Sequence, residues 1–296
     1  MYLRADSRLE PTSNKRGSVL KRAASGLVED GSDKKFVSHD DVSSRLGKSQ
    51  FWEQMWSSKG GISKEFDSGS SCKVLAHFLK EVDIGKEIAA VGGSACVPGC
   101  GRGYDVELLQ SSGFDHVLGL ELAPTAAKAA KTYLKDQGVE VLASDAAVRP
   151  SPASEIRVGN FFDLKEKFDV VVDSAFLCGL HPQTRVAYAK RLKKITKTGG
   201  YVAIEVFPVN NSLTSSILQF ARYYVGGPPY SLTVPQVKDL MAAQHFHLAF
   251  ALDPVPPALA QRRLGSAFLL FKKEHATGPG ARTISTESNA SSTAAE

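Results

Sequence analysis

Short apolar runs alternate with helix-patterned segments through the middle of the chain. Ser94 to Val97 is such a run and leads into a glycine-rich turn, after which Tyr104-Asp105-Val106-Glu107-Leu108-Leu109 begins a helix. His116 to Leu122 reads as a second strand, and Pro124, whose fixed φ suits a first helical turn, opens an Ala- and Lys-rich helix to Leu134. Ile156-Arg157-Val158 is a short third strand. Phe168 to Ala175 and Tyr201 to Phe207 are apolar enough for strands buried on both faces, with a helix from Arg185 to Leu192 between them. An amphipathic helix follows Pro235 to Ala243, and Phe246 to Leu252 with Ala267 to Phe271 form a closing antiparallel pair. This alternation predicts an α/β fold with a mostly parallel sheet and helices on both faces. Ala143 to Ser154, with Pro150 and Pro152, reads as an inserted loop.

The two ends lack this pattern. Residues 1–44 mix Ser, Lys, Arg, Asp and Gly with few core-forming side chains, and are expected to be a disordered tail. Residues 275–296, rich in Ser, Thr, Gly and Ala, are expected to be a flexible one. Residues 45–274 are then one domain, in keeping with a chain of 296 residues. No apolar run approaches the roughly 20 residues a spanning helix needs, so no membrane partner and a cytoplasmic location are expected. The basic residues Arg4, Arg8, Lys15, Arg16, Lys21 and Arg22 leave organelle targeting as the alternative, weakened by Asp6 and Glu10. The charge excess of +5 is spread along the chain and calls for no nucleic-acid partner. Cys72, Cys96, Cys100 and Cys178 show no zinc spacing and read as reduced thiols, with no metal expected. A monomer is expected.

The turn Val97-Pro98-Gly99-Cys100-Gly101-Arg102-Gly103 carries the chemistry. Glycines there permit a tight bend, let a ligand approach the backbone, and leave helix N–H groups facing a cleft. Glu121 ends the next strand about 20 residues on, where a carboxylate can accept hydrogen bonds from ribose hydroxyls. The pair predicts a nucleoside-bearing cofactor. The third glycine comes one residue too early for Gly-x-Gly-x-x-Gly, which disfavours a nicotinamide-dependent reductase.

The string Val97 to Asp105 resembles the first motif of the thiopurine S-methyltransferase-like family, which includes plant thiol and halide methyltransferases. Trp52-Glu53-Gln54-Met55-Trp56 is similar to the family's paired-tryptophan segment, Asn160-Phe161-Phe162-Asp163 to the loop after its third strand, and Phe168 to Cys178 to its fourth-strand motif. Gly226-Gly227-Pro228-Pro229-Tyr230 matches the loop of the plant-type members. The resemblance implies a Rossmann-like class I methyltransferase with a seven-stranded sheet, only the last pair breaking the parallel pattern, and S-adenosyl-L-methionine as cofactor. It implies that Gly99, Gly101 and Gly103 lie under the amino-acid part of the cofactor, Glu121 holds the ribose, and Asn160 with Phe161 borders the adenine. Asp173 would lie near the methionine portion, with Trp52 and Trp56 closing the site. The same tryptophans, one helical turn apart, also read as core anchors. Two departures stand out: Phe66, after Gly61-Ile62-Ser63-Lys64-Glu65, occupies a position where the family carries tryptophan, and Asn160 one where Asp is common.

Methyl transfer from a sulfonium is an in-line displacement in which the protein mainly orients the acceptor and excludes water. The expected activity is methylation of a small thiol or sulfide, with Tyr230 and Arg185 as acceptor-side catalytic candidates and Arg222 as an equal candidate for a surface cation. Halide or thiocyanate methylation, and a catalytically idle S-adenosylmethionine-binding protein, are the alternatives.

Overall fold

The computed structural model describes residues 49–58, 66–142, 151–209, 228–262 and 265–274. The expected tails, residues 1–44 and 275–296, lie outside these, as do Gly61 to Glu65, Arg222, Gly226, Gly227 and most of the expected insertion after Leu142.

One sheet runs through the described residues. Its strands are β1 (Ser94–Pro98), β2 (His116–Glu121), β3 (Val141–Leu142), β4 (Ala153–Val158), β5 (Phe168–Ser174), β6 (Thr196–Val206), β7 (Phe246–Leu252) and β8 (Ala267–Lys273). They lie in the order β3-β4-β2-β1-β5-β6-β8-β7. The sheet therefore has eight strands: the two-residue β3 adds an edge to the seven expected. The parallel pattern breaks at the last pair, where β8 runs antiparallel to both β6 and β7. The helices are α1 (Ser49–Ser57), α2 (Lys73–Glu81), α3 (Asp83–Val91), α4 (Tyr104–Ser111), α5 (Pro124–Asp136), α6 (Arg185–Ile195) and α7 (Val234–Ala242).

Alternation along each strand divides the core in two, because successive strand side chains point to opposite faces. Val170 and Val172 face α2 to α5 together with Phe78, Leu109 and Leu134, whereas Val171 faces α6 and α7 with Tyr188, Leu192 and Met241. Each such fully buried aliphatic side chain stabilises the fold by about 1.5–3 kcal/mol. The central strands are thus apolar on both sides, as parallel strands covered by two helical layers must be.

β4 takes in Ala153 and Ser154, the last two residues of the expected insertion. Ser154 and Glu155 look like loop residues, yet both are buried in register with Val117 and Leu118 of β2. Glu155 tolerates burial because Arg157 Nε and Nη2 donate to its two oxygens at 2.8 and 3.0 Å. Among the described residues no helix is long and apolar enough to cross a membrane.

The chain leaves β1 on one side toward β2 and returns on the other to β5. Such a switch point opens a crevice beyond the C-terminal ends of the strands, where ligands bind in open α/β sheets.

Candidate active site

Gly99 and Gly101 follow β1 with φ of 62° and 53°. This left-handed region costs a residue with a Cβ about 1–2 kcal/mol. Space is limited as well: a Cβ on Gly99 would stand 2.6 Å from Phe176 Cδ2, and one on Gly101 would stand 3.1 Å from the Trp56 ring. Gly103 has another task. It precedes α4, and a Cβ there would meet Ala130 of α5 at 3.2 Å, so it lets the two helices pack.

Glu121, at the end of β2, is 5 % exposed. Its Oε2 accepts from Gly101 N–H at 2.9 Å, and its Oε1 from Leu122 and Ala123 N–H at 2.7 and 2.9 Å. Burial pushes its carboxyl up while these three bonds pull it down. A carboxylate offers about four acceptor positions, so Gly101 of the turn and Leu122 and Ala123 after β2 take three of them. Sequence reasoning missed this role, because the contact between Gly101 and Glu121 joins residues 20 apart that only the parallel pairing of β1 and β2 brings together.

A cleft opens above these groups. Glu121, Leu122, Asn160, Phe161 and Phe162 wall one end. Gly99, Ser174, Ala175 and Phe176 form the floor, and Trp52, Trp56, Phe66, Gly179 and Leu180 the far side. Among the described lining residues Glu121 alone is ionisable. Asn160 Oδ1 accepts from Phe162 N–H at 3.0 Å, capping a 3₁₀ turn over Phe161–Asp163. Phe161 packs edge-on against Phe162 and Phe176, at 5.3 and 5.1 Å between ring centroids, and so serves as core and cleft wall together.

Asp173 does not line the cleft. It is 1 % exposed and accepts from Phe176 N–H at 2.8 Å, from Leu177 N–H at 3.1 Å, and from the Tyr188 hydroxyl at 2.5 Å. These bonds hold the floor loop, in which Ala175 adopts a φ of 65°, a strained conformation for a residue with a Cβ. Burial raises the Asp173 carboxyl to about 6, against the pull of the Tyr188 and backbone bonds.

Helix α1 lies across the mouth. Trp52 stacks edge-on with Phe66 at 5.3 Å, so Phe66 fills the position where tryptophan was expected. The Arg102 guanidinium sits 5.7 Å from the centre of the Trp56 ring. Glu53 accepts from Thr125 N–H at 3.0 Å and from the Thr125 hydroxyl, at the start of α5, where a helix N-terminus favours negative charge.

Tyr230 and Arg185 come together behind the cleft rather than in it. Tyr230 N–H donates to the Cys178 carbonyl at 2.7 Å, and Arg185 Nη2 donates to the Ser231 carbonyl at 3.0 Å. Burial pushes the Tyr230 hydroxyl up to about 12, with Arg185 opposing. His181, which no spacing in the sequence singles out, is buried edge-on against Tyr230 at 5.5 Å. The cluster buttresses Cys178 to Leu180, whose Gly179 and Leu180 wall the cleft. All four cysteines are free thiols, and burial raises those of Cys72, Cys96 and Cys178.

A parallel sheet with its crevice beside β1, a glycine turn, and a carboxylate closing the next strand define a class I S-adenosylmethionine-dependent methyltransferase. The family model for thiopurine S-methyltransferase matches residues 47–254, and the chain belongs to that family. It is 28% identical over 223 residues to "Probable thiol methyltransferase 2" of Arabidopsis thaliana, covering 72% of this chain and 82% of the relative. It is 26% identical over 214 residues to thiocyanate methyltransferase 1 of the same plant, covering 72% and 79%. Among solved structures, magnesium protoporphyrin IX methyltransferase from Synechocystis PCC 6803 with bound S-adenosylhomocysteine has the same fold, with a TM-score of 0.53 at 15% identity, covering 79% of this chain and 98% of that one.

Proposed function

We propose that the chain transfers a methyl group from S-adenosylmethionine to a small thiol or sulfide. The observation that carries this reading is the cleft wall, which among the described residues offers a single ionisable group, Glu121, already bound to the turn. Such a wall suits an acceptor that brings its own nucleophile. A thiol does so: with a pKa of about 8.5, a few per cent is thiolate near pH 7. The name of the thiol methyltransferase relative points the same way.

Bound cofactor supplies the activated methyl group, and the chain's part is orientation and exclusion of water. Glu121 uses its remaining acceptor position for a ribose hydroxyl, Asn160 and Phe161 border the adenine, and Gly99 with Gly101 underlies the amino-acid end. Trp52 and Trp56 cover the site from α1. Asp173 acts through the floor loop, and Tyr230 with Arg185 acts through the Cys178 to Leu180 wall, all three as positioning residues. The thiocyanate methyltransferase relative supports a second reading, in which the acceptor is a small polarisable anion.

The test is a transfer assay with methyl-labelled S-adenosylmethionine and a panel of thiols, sulfide, iodide, bromide and thiocyanate, volatile products included. Labelled thioether or methanethiol as the best product supports the reading. Label in none of them, from protein that binds S-adenosylhomocysteine, overturns both the thiol and the anion readings.

A further inference from the structure

A groove lies where α6 ends, and among the described residues Lys167, Lys190, Lys193, Lys194, Gln244 and Lys273 line it. Five of these six are lysines and none is acidic, although the net charge of the whole chain is only +5. Basic residues spread along the sequence are gathered here by the fold from three places. Lys167 immediately precedes β5, Lys273 ends β8, and Lys190, Lys193 and Lys194 come from α6, whose 11 residues hold five cations and no carboxylate. The groove is remote from the cleft: Lys167 stands before the start of β5 and Ser174, which lines the cleft, at its end, so the strand alone separates them by about 20 Å.

Carboxylates do occur beside these lysines, but each is turned to another partner. Glu166, next to Lys167 in sequence, pairs with Arg157 at 2.6 Å, and Asp169 pairs with Lys197 at 2.7 Å. Glu274, which follows Lys273, lies 3.7 Å from the His247 ring. Lys167, Lys190, Lys193 and Lys194 thus make no ion pair among the described residues. Lys273 is held differently: its Nζ donates to the carbonyls of Lys193 at 2.5 Å and of Thr196 at 2.7 Å, closing the end of α6. Burial lowers its pKa, and the charges of Lys167 and Lys193 lower it further. A helix C-terminus carries about half a negative charge, which accounts for one lysine there but not for five. Like charges around one concavity, with the neighbouring carboxylates engaged elsewhere, raise the local concentration of an anion supplied from outside.

The lining also says which anion fits. No aromatic side chain is present on which a base could stack, and no exposed apolar one that could enter a bilayer. Arginine, whose planar fork selects one carboxylate or phosphate by two parallel bonds, is absent as well. An ammonium on a flexible stem is instead a movable point charge, and several around one depression can each meet a different oxygen of a compact ligand that carries several charges. We propose that this groove binds a chain of two or more phosphates, such as inorganic tripolyphosphate or the phosphate tail of a nucleotide. Lys167, Lys190, Lys193 and Lys194 meet its oxygens, and Lys273 ties β8 to the end of α6.

Calorimetry on the full chain tests the assignment, at low salt, without divalent metal, and with S-adenosylhomocysteine at saturation so that the cleft is filled. Tripolyphosphate should bind at one site, about tenfold or more tighter than orthophosphate, and weaken about tenfold as salt rises from about 50 to about 300 mM. Adenosine triphosphate should fall within about threefold of tripolyphosphate, since the groove offers its base nothing. Lys190→Gln/Lys194→Gln should weaken tripolyphosphate about five- to tenfold, as expected for two exposed charge contacts. Lys131→Gln/Lys135→Gln, which removes two exposed lysines of α5, should leave it within about twofold. Thermal melts show that each variant is folded. The proposal is overturned if tripolyphosphate does not bind, if orthophosphate binds as tightly, or if the two paired variants lose affinity equally. It is overturned as well if adenosine triphosphate binds more than about tenfold tighter than tripolyphosphate, which would mean that a base is read. Binding of phosphatidylserine vesicles or of a single-stranded oligonucleotide without binding of tripolyphosphate would replace it with a membrane or a nucleic-acid surface.

Discussion

Replacing Glu121 with Ala removes two kinds of contact at once. Within the protein it strands the N–H groups of Gly101, Leu122 and Ala123, which the carboxylate now takes at 2.7 to 2.9 Å. A buried donor left without a partner costs about 1–3 kcal/mol. Water entering from the open cleft can serve the half-buried Leu122 N–H and part of the rest, so the net loss of stability should be about 3 kcal/mol, not the threefold sum. For a domain of this size that lowers the melting temperature by about 6–12 °C. Toward the ligand, loss of a charged acceptor should cost a further 1.5–3 kcal/mol, about 10- to 150-fold in affinity for S-adenosylhomocysteine. Glu121→Gln separates the two effects. With its oxygen toward Leu122 and Ala123 it keeps two of the three bonds, and it turns an NH₂ toward Gly101 N–H, so stability should fall by about 1–3 kcal/mol while cofactor affinity still drops. Thermal melts with and without ligand, alongside calorimetry, read both quantities. Variants that melt lower yet bind S-adenosylhomocysteine with wild-type affinity would refute a role for Glu121 in the cofactor site and leave it as a staple of the turn.

Two further outcomes follow from the same geometry. Because burial raises the Asp173 carboxyl to about 6, above an unfolded value of about 3.9, folding takes up a proton between those values. This group's contribution is then full below about pH 4 and declines by about 3 kcal/mol as the pH rises to 6. Asp173→Asn, whose amide can still accept from Phe176 and donate to the Tyr188 oxygen, should flatten that decline in urea titrations from pH 4 to 7. An unchanged slope would contradict the assignment. The chain's two tryptophans, Trp52 and Trp56, both lie in α1, so intrinsic fluorescence reports that helix alone. Its emission should change as S-adenosylhomocysteine is added, with the midpoint that calorimetry gives, and silence at saturation would show that α1 does not cover the ligand.

What the residue pattern revealed was set by how locally each feature is encoded. β1, β2, β5 and β8 are continuous apolar runs because both their faces are covered, and such runs are plain in a sequence. Ser154 and Glu155 are not, since these polar residues enter β4 through register with Val117 and Leu118, and neither is the start of β6, Thr196-Lys197-Thr198-Gly199-Gly200, where Thr196 pairs with Phe168 and the register shifts before Tyr201. α2 and α3 also went unread, although the spacing of Val74, Leu75, Phe78 and Leu79 carries a signal for α2. In the site, the glycine turn and Glu121 are legible through their fixed spacing, while the roles that depend on three dimensions are not. Asp173 turns under the floor loop, and Tyr230 and Arg185 stand behind the wall. No spacing rule joins such residues, since only the sheet order brings them together.

The central claim, that the acceptor arrives with its own nucleophile, is tested most directly by comparing pH profiles for a thiol and for iodide at saturating cofactor and subsaturating acceptor. Iodide has no proton to lose, so its rate follows only groups of the enzyme, and dividing one profile by the other cancels them. The account predicts that the thiol-to-iodide ratio climbs about tenfold per pH unit up to the acceptor's own pKa, near 8.5 for an ordinary thiol, and then levels off. A ratio that stays constant from pH 6 to 9 would contradict it, because a group of the protein would then be taking the thiol proton within the site.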